Sequence, residues 1–268
     1  MPGRPAGDTG YDATAEFYDQ VAPYNEREDV AFFVGMALQA GGPVLELGCG
    51  TGRVLLPVAR AGCAITGLDL SPAMLAICRD KVAAEPADVA ARVRLVQGDM
   101  CDFDLGRRFA LITIPFRPFQ HLVAAEDQLA CLQCIRRHLL PSGRLVLDLF
   151  NPSIPHLANP ARLEEFGAEP EIVMPDGRRV LRRARIAARD YFAQVQDTEL
   201  IYYVTHPDGR QERLVHAFPM RYLFRFEAEH LLARCGFAIE HLYGGYDRSE
   251  YGSTYPGELI FVARRHDP

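Results

Sequence analysis

Between Pro43 and Phe150 the chain alternates short apolar runs with stretches whose apolar residues recur at helical spacing. Pro43, Val44, Leu45, Glu46 and Leu47 read as a short buried strand entered from the turn Gly41-Gly42. Val54, Leu55 and Val58, closed by Gly62, read as a helix face in which Pro57 falls early enough to be tolerated. Ala64 to Leu70 predicts a second strand, followed by Ser71-Pro72 as an N-cap and first-turn proline. Val93 to Val96 predicts a third strand ending at Gln97-Gly98-Asp99, and Phe109 to Ile114 a fourth. Leu145 to Phe150 predicts a fifth, after a helix carrying Leu129, Leu132, Ile135 and Leu139 that closes at Pro141-Ser142-Gly143. Strands alternating with helices predict an α/β fold with a parallel sheet and right-handed crossovers.

The rhythm changes between Asn151 and Arg225. Met174-Pro175-Asp176-Gly177 and His206-Pro207-Asp208-Gly209 are turn signals between strand-like runs such as Leu200 to Thr205, so this segment predicts antiparallel hairpins. Helical spacing returns with Phe226, Leu231, Leu232 and Gly236, followed by strands near Ala238 to Tyr243 and Glu258 to Ala263. An inserted sheet thus interrupts the α/β domain before its last helix and hairpin.

Composition narrows the class. With 268 residues the chain suits one large domain, or one domain with an insertion. Formal charge is -6, and Lys81 is the one lysine among 29 basic residues, so the arginine bias reads as genomic and a nucleic-acid footprint is not expected. Arg178, Arg179, Arg182, Arg183, Arg185 and Arg189 read first as a solvated hairpin face among acidic neighbours and second as a polyanion patch. The start, MPGRPAGDTG, has no apolar core for a signal peptide, and no apolar run is long enough to span a bilayer, which predicts a cytoplasmic protein. Seven scattered cysteines make no disulfide or zinc pattern; Cys131 and Cys134 fall on the helical stripe and read as packing, so no metal is expected.

The candidate chemistry starts at Val44 to Arg53, VLELGCGTGR, where three glycines fall in five positions between strand and helix. Free backbone N–H groups at such a turn suit an anionic or polar ligand. The spacing is G-x-G-x-G, with Gly48, Gly50 and Gly52 separated by Cys49 and Thr51, and lacks the third glycine of a dinucleotide turn. Glu46, just ahead, would repel a pyrophosphate and suit an ammonium or sulfonium group, so the loop predicts a cation-bearing nucleoside. Asp69, nineteen residues past Gly50 at the end of the second strand, can accept from two ribose hydroxyls, and Asp99-Met100 at the end of the third can bracket a purine. Taken singly, Asp69 is also an acid before an N-cap and Asp99 a turn acid.

At these residues the chain resembles the class I S-adenosylmethionine-dependent methyltransferases: LELGCGTG, GLDLSPAML, QGDM and LLPSGRLVLDLF occur in family order. The resemblance implies a Rossmann-like seven-stranded sheet whose last strand is antiparallel, and S-adenosyl-L-methionine as cofactor. It places Glu46, Gly48, Cys49, Gly50 and Gly52 near the methionyl part, Asp69 with its neighbour Leu70 at the ribose, and Asp99 and Met100 at adenine. More narrowly, TAEFYDQVAPY, FQHL after the fourth strand and the antiparallel insertion are similar to the small-molecule branch that includes bacterial aminosugar N,N-dimethyltransferases. In that branch a tyrosine of the N-terminal segment and a histidine after strand four face the acceptor, which implies Tyr18 and His121 here, with Tyr11 and Tyr24 as further tyrosines of the same segment. TIPFRPF, 113 to 119, departs from the branch's small and polar stretch; it also lacks the Asn/Asp-Pro-Pro-aromatic of nucleic-acid amino methyltransferases and the Pro-Cys of cytosine enzymes.

The implied organisation is a cofactor-binding domain of 1–152 and 223–268 with an N-terminal helical lid, and a 153–222 insertion covering the acceptor. The expected chemistry is transfer of a methyl group to N or O of a small molecule, with reacting atoms aligned and water excluded. His121 serves as base or caps the next helix, and Tyr18 orients the acceptor or packs. An RNA or protein substrate held by the arginines, and a binding module without turnover, are the other readings. A homodimer is compatible with the pattern.

Overall fold

The computed structural model describes residues 11, 13–21, 27–167 and 169–266. In chain order, α1 (Ala15–Tyr18) and α2 (Asp29–Ala40) precede β1 (Val44–Leu47), α3 (Leu55–Arg60), β2 (Ile65–Asp69), α4 (Pro72–Ala83), α5 (Ala87–Ala90), β3 (Val93–Gln97) and β4 (Phe109–Ile114). A 3-10 turn, Pro118–His121, leads to α6 (Ala125–His138), β5 (Leu139–Leu149) and α7 (Ile154–Ala158). Then come β6 (Ile172–Val173), β7 (Arg179–Asp190), β8 (Val195–Thr205), β9 (Gln211–Arg221), α8 (Arg225–Arg234), β10 (Phe237–Tyr243) and β11 (Leu259–Arg265).

Among the described residues the main sheet has seven strands in the order β10-β11-β5-β4-β1-β2-β3, with β11 antiparallel to both of its neighbours. The expected α/β fold with an antiparallel last strand is the observed one. Its strands are apolar on both faces because helices cover both. Leu45, Leu47, Ile112, Ile114, Leu145 and Leu147 point to the α6 and α8 side, while Val44, Leu111, Val146 and Ile260 point to the α2 and α3 side. Ser71 caps α4 as expected, its hydroxyl accepting from Met74 N at 3.2 Å.

The fifth strand begins earlier than its apolar run. The helix ends at His138, Leu139 already pairs with Phe109, and the register then slips before Leu111 meets Arg144. Pro141-Ser142-Gly143 is therefore an irregularity within the strand and not the close of the helix. A side chain at Gly143 would meet Phe109 O at 2.9 Å and Leu140 O at 3.0 Å, which makes glycine the residue that fits there.

The second sheet, β6-β7-β8-β9, is antiparallel throughout, its two predicted turns joining β6 to β7 and β8 to β9. Its core of Met174, Val180, Leu200, Tyr202 and Val204 includes Phe17 of α1, whose ring centroid lies 5.4 Å from that of Tyr202. The arginines meet carboxylates: Arg178 with Glu16 and Asp176, each at 2.6 Å, Arg179 with Glu171 at 3.4 Å, Arg182 with Glu169 at 2.8 Å, and Arg185 with Glu199 at 2.6 Å. Arg183 and Arg189 instead donate to the carbonyl oxygens of Arg182 and Asn159; the ion pairs of the other four add little stability at a surface but reduce the positive field that a polyanion would need.

Candidate active site

The strand order reverses between β1 and β4, and in an open α/β sheet ligands bind beyond the carboxyl ends of the strands at that point. A cavity of about 540 Å³ lies there. Gly48, Gly50, Asp69, Leu70, Asp99 and Met100 line one part of it, delivered by the ends of β1, β2 and β3. Tyr11, Tyr18, Phe116, Pro118, His121 and Phe218 line the other. Nine of the residues singled out in the sequence, Tyr11 among them, thus converge on one space. Tyr24 lies outside the described residues.

The loop after β1 is held open by its own backbone. Gly48 and Gly50 have φ of 70° and 53°, the region that favours glycine, and a Cβ at Gly48 would sit 2.7 Å from Pro118 Cγ. Asp69 joins the loop to β2: its Oδ2 accepts from Gly50 N at 2.7 Å and its Oδ1 from Ser71 N at 2.9 Å. Burial raises the Asp69 pKa while the N–H groups of Ser71, Gly50 and Leu70 oppose the rise. Each Asp69 oxygen retains acceptor capacity toward the cavity.

Glu46, Cys49 and Gly52 are not among the lining residues and stand behind the loop. Gly52 has φ of 85° and leaves room for Cys78, whose Sγ would lie 2.8 Å from an added Cβ. Cys49 is buried against Gly67, and burial drives its thiol pKa up, consistent with packing and not with a nucleophile. Glu46 is 3% exposed, and its Oε2 has no hydrogen-bond partner among the described residues. Burial pushes its pKa up to about 8; Arg53 opposes this, and Asp29 and Asp69 add to it.

Because the folded-state pKa exceeds the reference of 4.5, Glu46 holds its proton to higher pH in the folded, cofactor-free protein than in the unfolded chain. Stability from this group is therefore whole at low pH and falls as pH rises from about 4.5 through about 8. Glu46→Gln should flatten that part of the Tm-against-pH curve in the cofactor-free protein. An unaltered slope would show that Glu46 is ionised throughout.

His121 ends the 3-10 turn that follows β4, and the N-cap of α6 is Ala124, so His121 does not cap the helix. Gln120, fully buried beside it, donates from Nε2 to Arg221 O at 3.0 Å and accepts at Oε1 from Phe150 N at 2.6 Å. This one amide ties the end of β9 to the end of β5 and fixes the turn that carries His121. Gln120→Leu should lower unfolding free energy by about 1–3 kcal/mol for each backbone group left unpaired, readable by denaturant titration; a loss under about 0.5 kcal/mol would mean the turn is set by other contacts.

Rings close the part of the cavity away from the strand ends. Centroids lie 4.9 Å apart for His121 and Phe218, 4.8 Å for Phe218 and His216, 4.0 Å for His216 and Tyr11, and 6.5 Å for Tyr11 and Tyr18. The segment bearing these tyrosines is bolted to the glycine loop: Asp19 accepts from Thr51 Oγ1 at 2.7 Å and pairs with Lys81 Nζ at 2.5 Å, while Lys81 also donates to Thr51 O at 3.1 Å. Phe218, Phe116 and the Asp19–Lys81 pair were missed in the sequence. Lys81 carried a signal, as the one lysine in the chain.

Residues 44–143 match the sequence family described as a methyltransferase domain. The chain is 35% identical over 140 residues to a dTDP-3-amino-3,6-dideoxy-alpha-D-glucopyranose N,N-dimethyltransferase of Streptomyces fradiae, covering 50% of this chain and 52% of that protein, so it spans about half the length of this relative. Identity to the dTDP-3-amino-3,4,6-trideoxy-alpha-D-glucopyranose N,N-dimethyltransferase of Streptomyces venezuelae is 25% over 223 residues, 82% of this chain and 85% of the relative. The solved CcbJ methyltransferase from Streptomyces caelestis shares the fold with a TM-score of 0.75 at 24% identity, over 97% of this chain and 98% of the other. Residues 44–143 thus carry a methyltransferase domain, and the chain as a whole has the fold of the solved methyltransferases. Solved methyltransferases similar to it hold S-adenosylmethionine. Among the described residues no helix is long and apolar enough to cross a membrane.

Proposed function

We propose that this chain transfers a methyl group from S-adenosylmethionine to a nitrogen of a small-molecule acceptor, of the amino-sugar class on which its relatives act by name. The observation that carries this reading is the single cavity in which Asp69, Asp99 and the glycine loop share one space with Tyr18 and His121. The cofactor fits the residues present. The lining carboxylates Asp69 and Asp99 and the buried, unpartnered Glu46 Oε2 behind them suit a ligand that is a nucleoside and also a cation.

When bound, the cofactor supplies an electrophilic methyl on a sulfonium sulfur. In this reading Asp69 accepts from ribose hydroxyls, Asp99 and Met100 bracket the purine, and Gly48 and Gly50 let backbone approach the methionyl part. Tyr18 orients the acceptor. His121 takes the proton that an acceptor ammonium must lose before its lone pair can react. Residues 153–222 form a cover on the acceptor side, supported by Ala217, Phe218 and Pro219 of β9 in the cavity wall, with 1–152 and 223–268 as the cofactor domain. A cytoplasmic location is part of this reading. The carboxylate-paired arginines support a small acceptor over a nucleic acid, and a homodimer is compatible with this reading.

The test is a panel of amino sugars, free and nucleotide-linked, each with its hydroxyl analogue, incubated with S-adenosylmethionine and read by mass spectrometry. An amine that gains a methyl group where its hydroxyl analogue does not is the expected result. Methylation of the hydroxyl analogues, or of RNA or protein alone, would refute it.

A further inference from the structure

Two consecutive residues after β4, Phe116 and Arg117, have φ of 62° and 73° although neither is glycine. A bulky side chain in the left-handed region is a costly conformation, and it persists only where the surroundings over-determine it. Phe116 lines the cavity. What holds this turn lies on the neighbouring strand: Asp148, fully buried near the end of β5, accepts at Oδ2 from Phe116 N at 3.0 Å and from Tyr246 Oη at 2.9 Å. Its Oδ1 has no hydrogen-bond partner among the described residues. A carboxylate taken out of water and using one oxygen is an expensive core residue, so its placement calls for a role beyond packing.

The rest of the network serves the same turn. Tyr246 Oη accepts from Arg27 Nη2 at 2.5 Å, and Arg117 Nη2 pairs with Glu258 Oε2 at 2.8 Å. The guanidinium carbons of Arg27 and Arg53 stand 4.9 Å and 5.2 Å from the centroid of the Phe116 ring. Arg53 is itself fixed by two hydrogen bonds to the fully buried Asp29, at 2.7 Å and 2.6 Å. The turn so held delivers Pro118 against Gly48 and starts the 3-10 segment that ends at His121.

We infer that Asp148 is a positioning residue for methyl transfer, which holds the Phe116–Arg117 turn left-handed so that Phe116 forms the cavity wall and His121 meets the acceptor. The inference rests on the reading that this cavity takes the acceptor. Asp148 touches neither the cavity nor a reacting atom. It acts through the backbone N–H of Phe116.

The chain contains no tryptophan, so Phe116→Trp places a single tryptophan in the wall, excited selectively beyond the tyrosine band. Emission and acrylamide quenching are compared in that background alone and with Asp148→Ala, Asp148→Ser or Asp148→Asn added. Ala and Ser, which cannot accept from both donors, should shift the emission to the red and raise quenching. Asn, whose Oδ1 can still accept from both, should restore the parent emission. With Phe116 intact and a methylated amine in hand, Asp148→Ala should lower kcat/KM for the acceptor by about 10- to 100-fold, while affinity for S-adenosylhomocysteine holds. Emission and quenching at parent values in both Ala and Ser, a defect in Asn as large as in Ala, or failure of all three to fold would overturn the inference. The fluorescence needs no acceptor, so a shift in a protein that methylates no amine would count against the proposed function and leave standing only the hold of Asp148 on the Phe116–Arg117 turn.

Discussion

His121→Ala should lower the rate constant for methyl transfer by about 10²- to 10⁴-fold and leave cofactor affinity nearly unchanged, the loss expected when a general base that handles the acceptor proton is removed. The geometry favours this outcome. The imidazole lines the cavity from a turn anchored by Gln120, it packs on Phe218 of the second sheet, and it stands three residues ahead of the Ala124 cap. A base role carries a pH signature of definite sign. Raising pH deprotonates an amine acceptor in solution, so the alanine variant should regain rate as pH rises, whereas a packing role would lower Tm and give no regain. Full activity in the variant would move the proton-handling role to Tyr18 and Tyr11, the two cavity tyrosines.

Asp69→Ala should weaken cofactor binding by about 1–3 kcal/mol, roughly 5- to 150-fold in Kd. Two losses add. The ribose hydroxyls lose their acceptor, and the N–H groups of Gly50 and Ser71 lose the carboxylate that now ties loop to strand. Asp69→Asn separates the two, because one amide oxygen can keep the Gly50 contact while the amide nitrogen offers no acceptor to the sugar. Calorimetry with S-adenosylhomocysteine reads both variants. An unchanged Kd in folded Asp69→Ala would mean that the ribose is held elsewhere.

The sheet was legible because its strands are short apolar runs, the first three closed by a glycine or aspartate, and two of the hairpins because Pro-Asp-Gly turns mark their ends. The start of β5 was not, since Leu139 continues the helical stripe of Leu132 and Ile135 and only its pairing with Phe109 tells the two apart. At the site, the glycine spacing with Asp69 and Asp99 located the cavity. Spacing says nothing about depth, and so it does not distinguish Gly48 and Gly50, which line the cavity, from Glu46, Cys49 and Gly52 of the same stretch, which do not. Phe218 lies 97 residues from His121, in a strand whose pattern resembles any half-buried hairpin, so only tertiary contact reveals the pair. The left-handed Phe116–Arg117 turn leaves no trace in residue types, because neither residue favours that conformation.

The most direct measurement is a crystal structure with S-adenosylhomocysteine and a methylated amine both bound. The expected density places the ribose hydroxyls on the Asp69 carboxylate, the adenine beside Asp99 and Met100, and the acceptor nitrogen between the sulfur and His121, with Tyr18 and Phe218 as walls. Adenosyl density outside this cavity, or an acceptor whose nitrogen lies away from His121 and the sulfur, would contradict methyl transfer at this site.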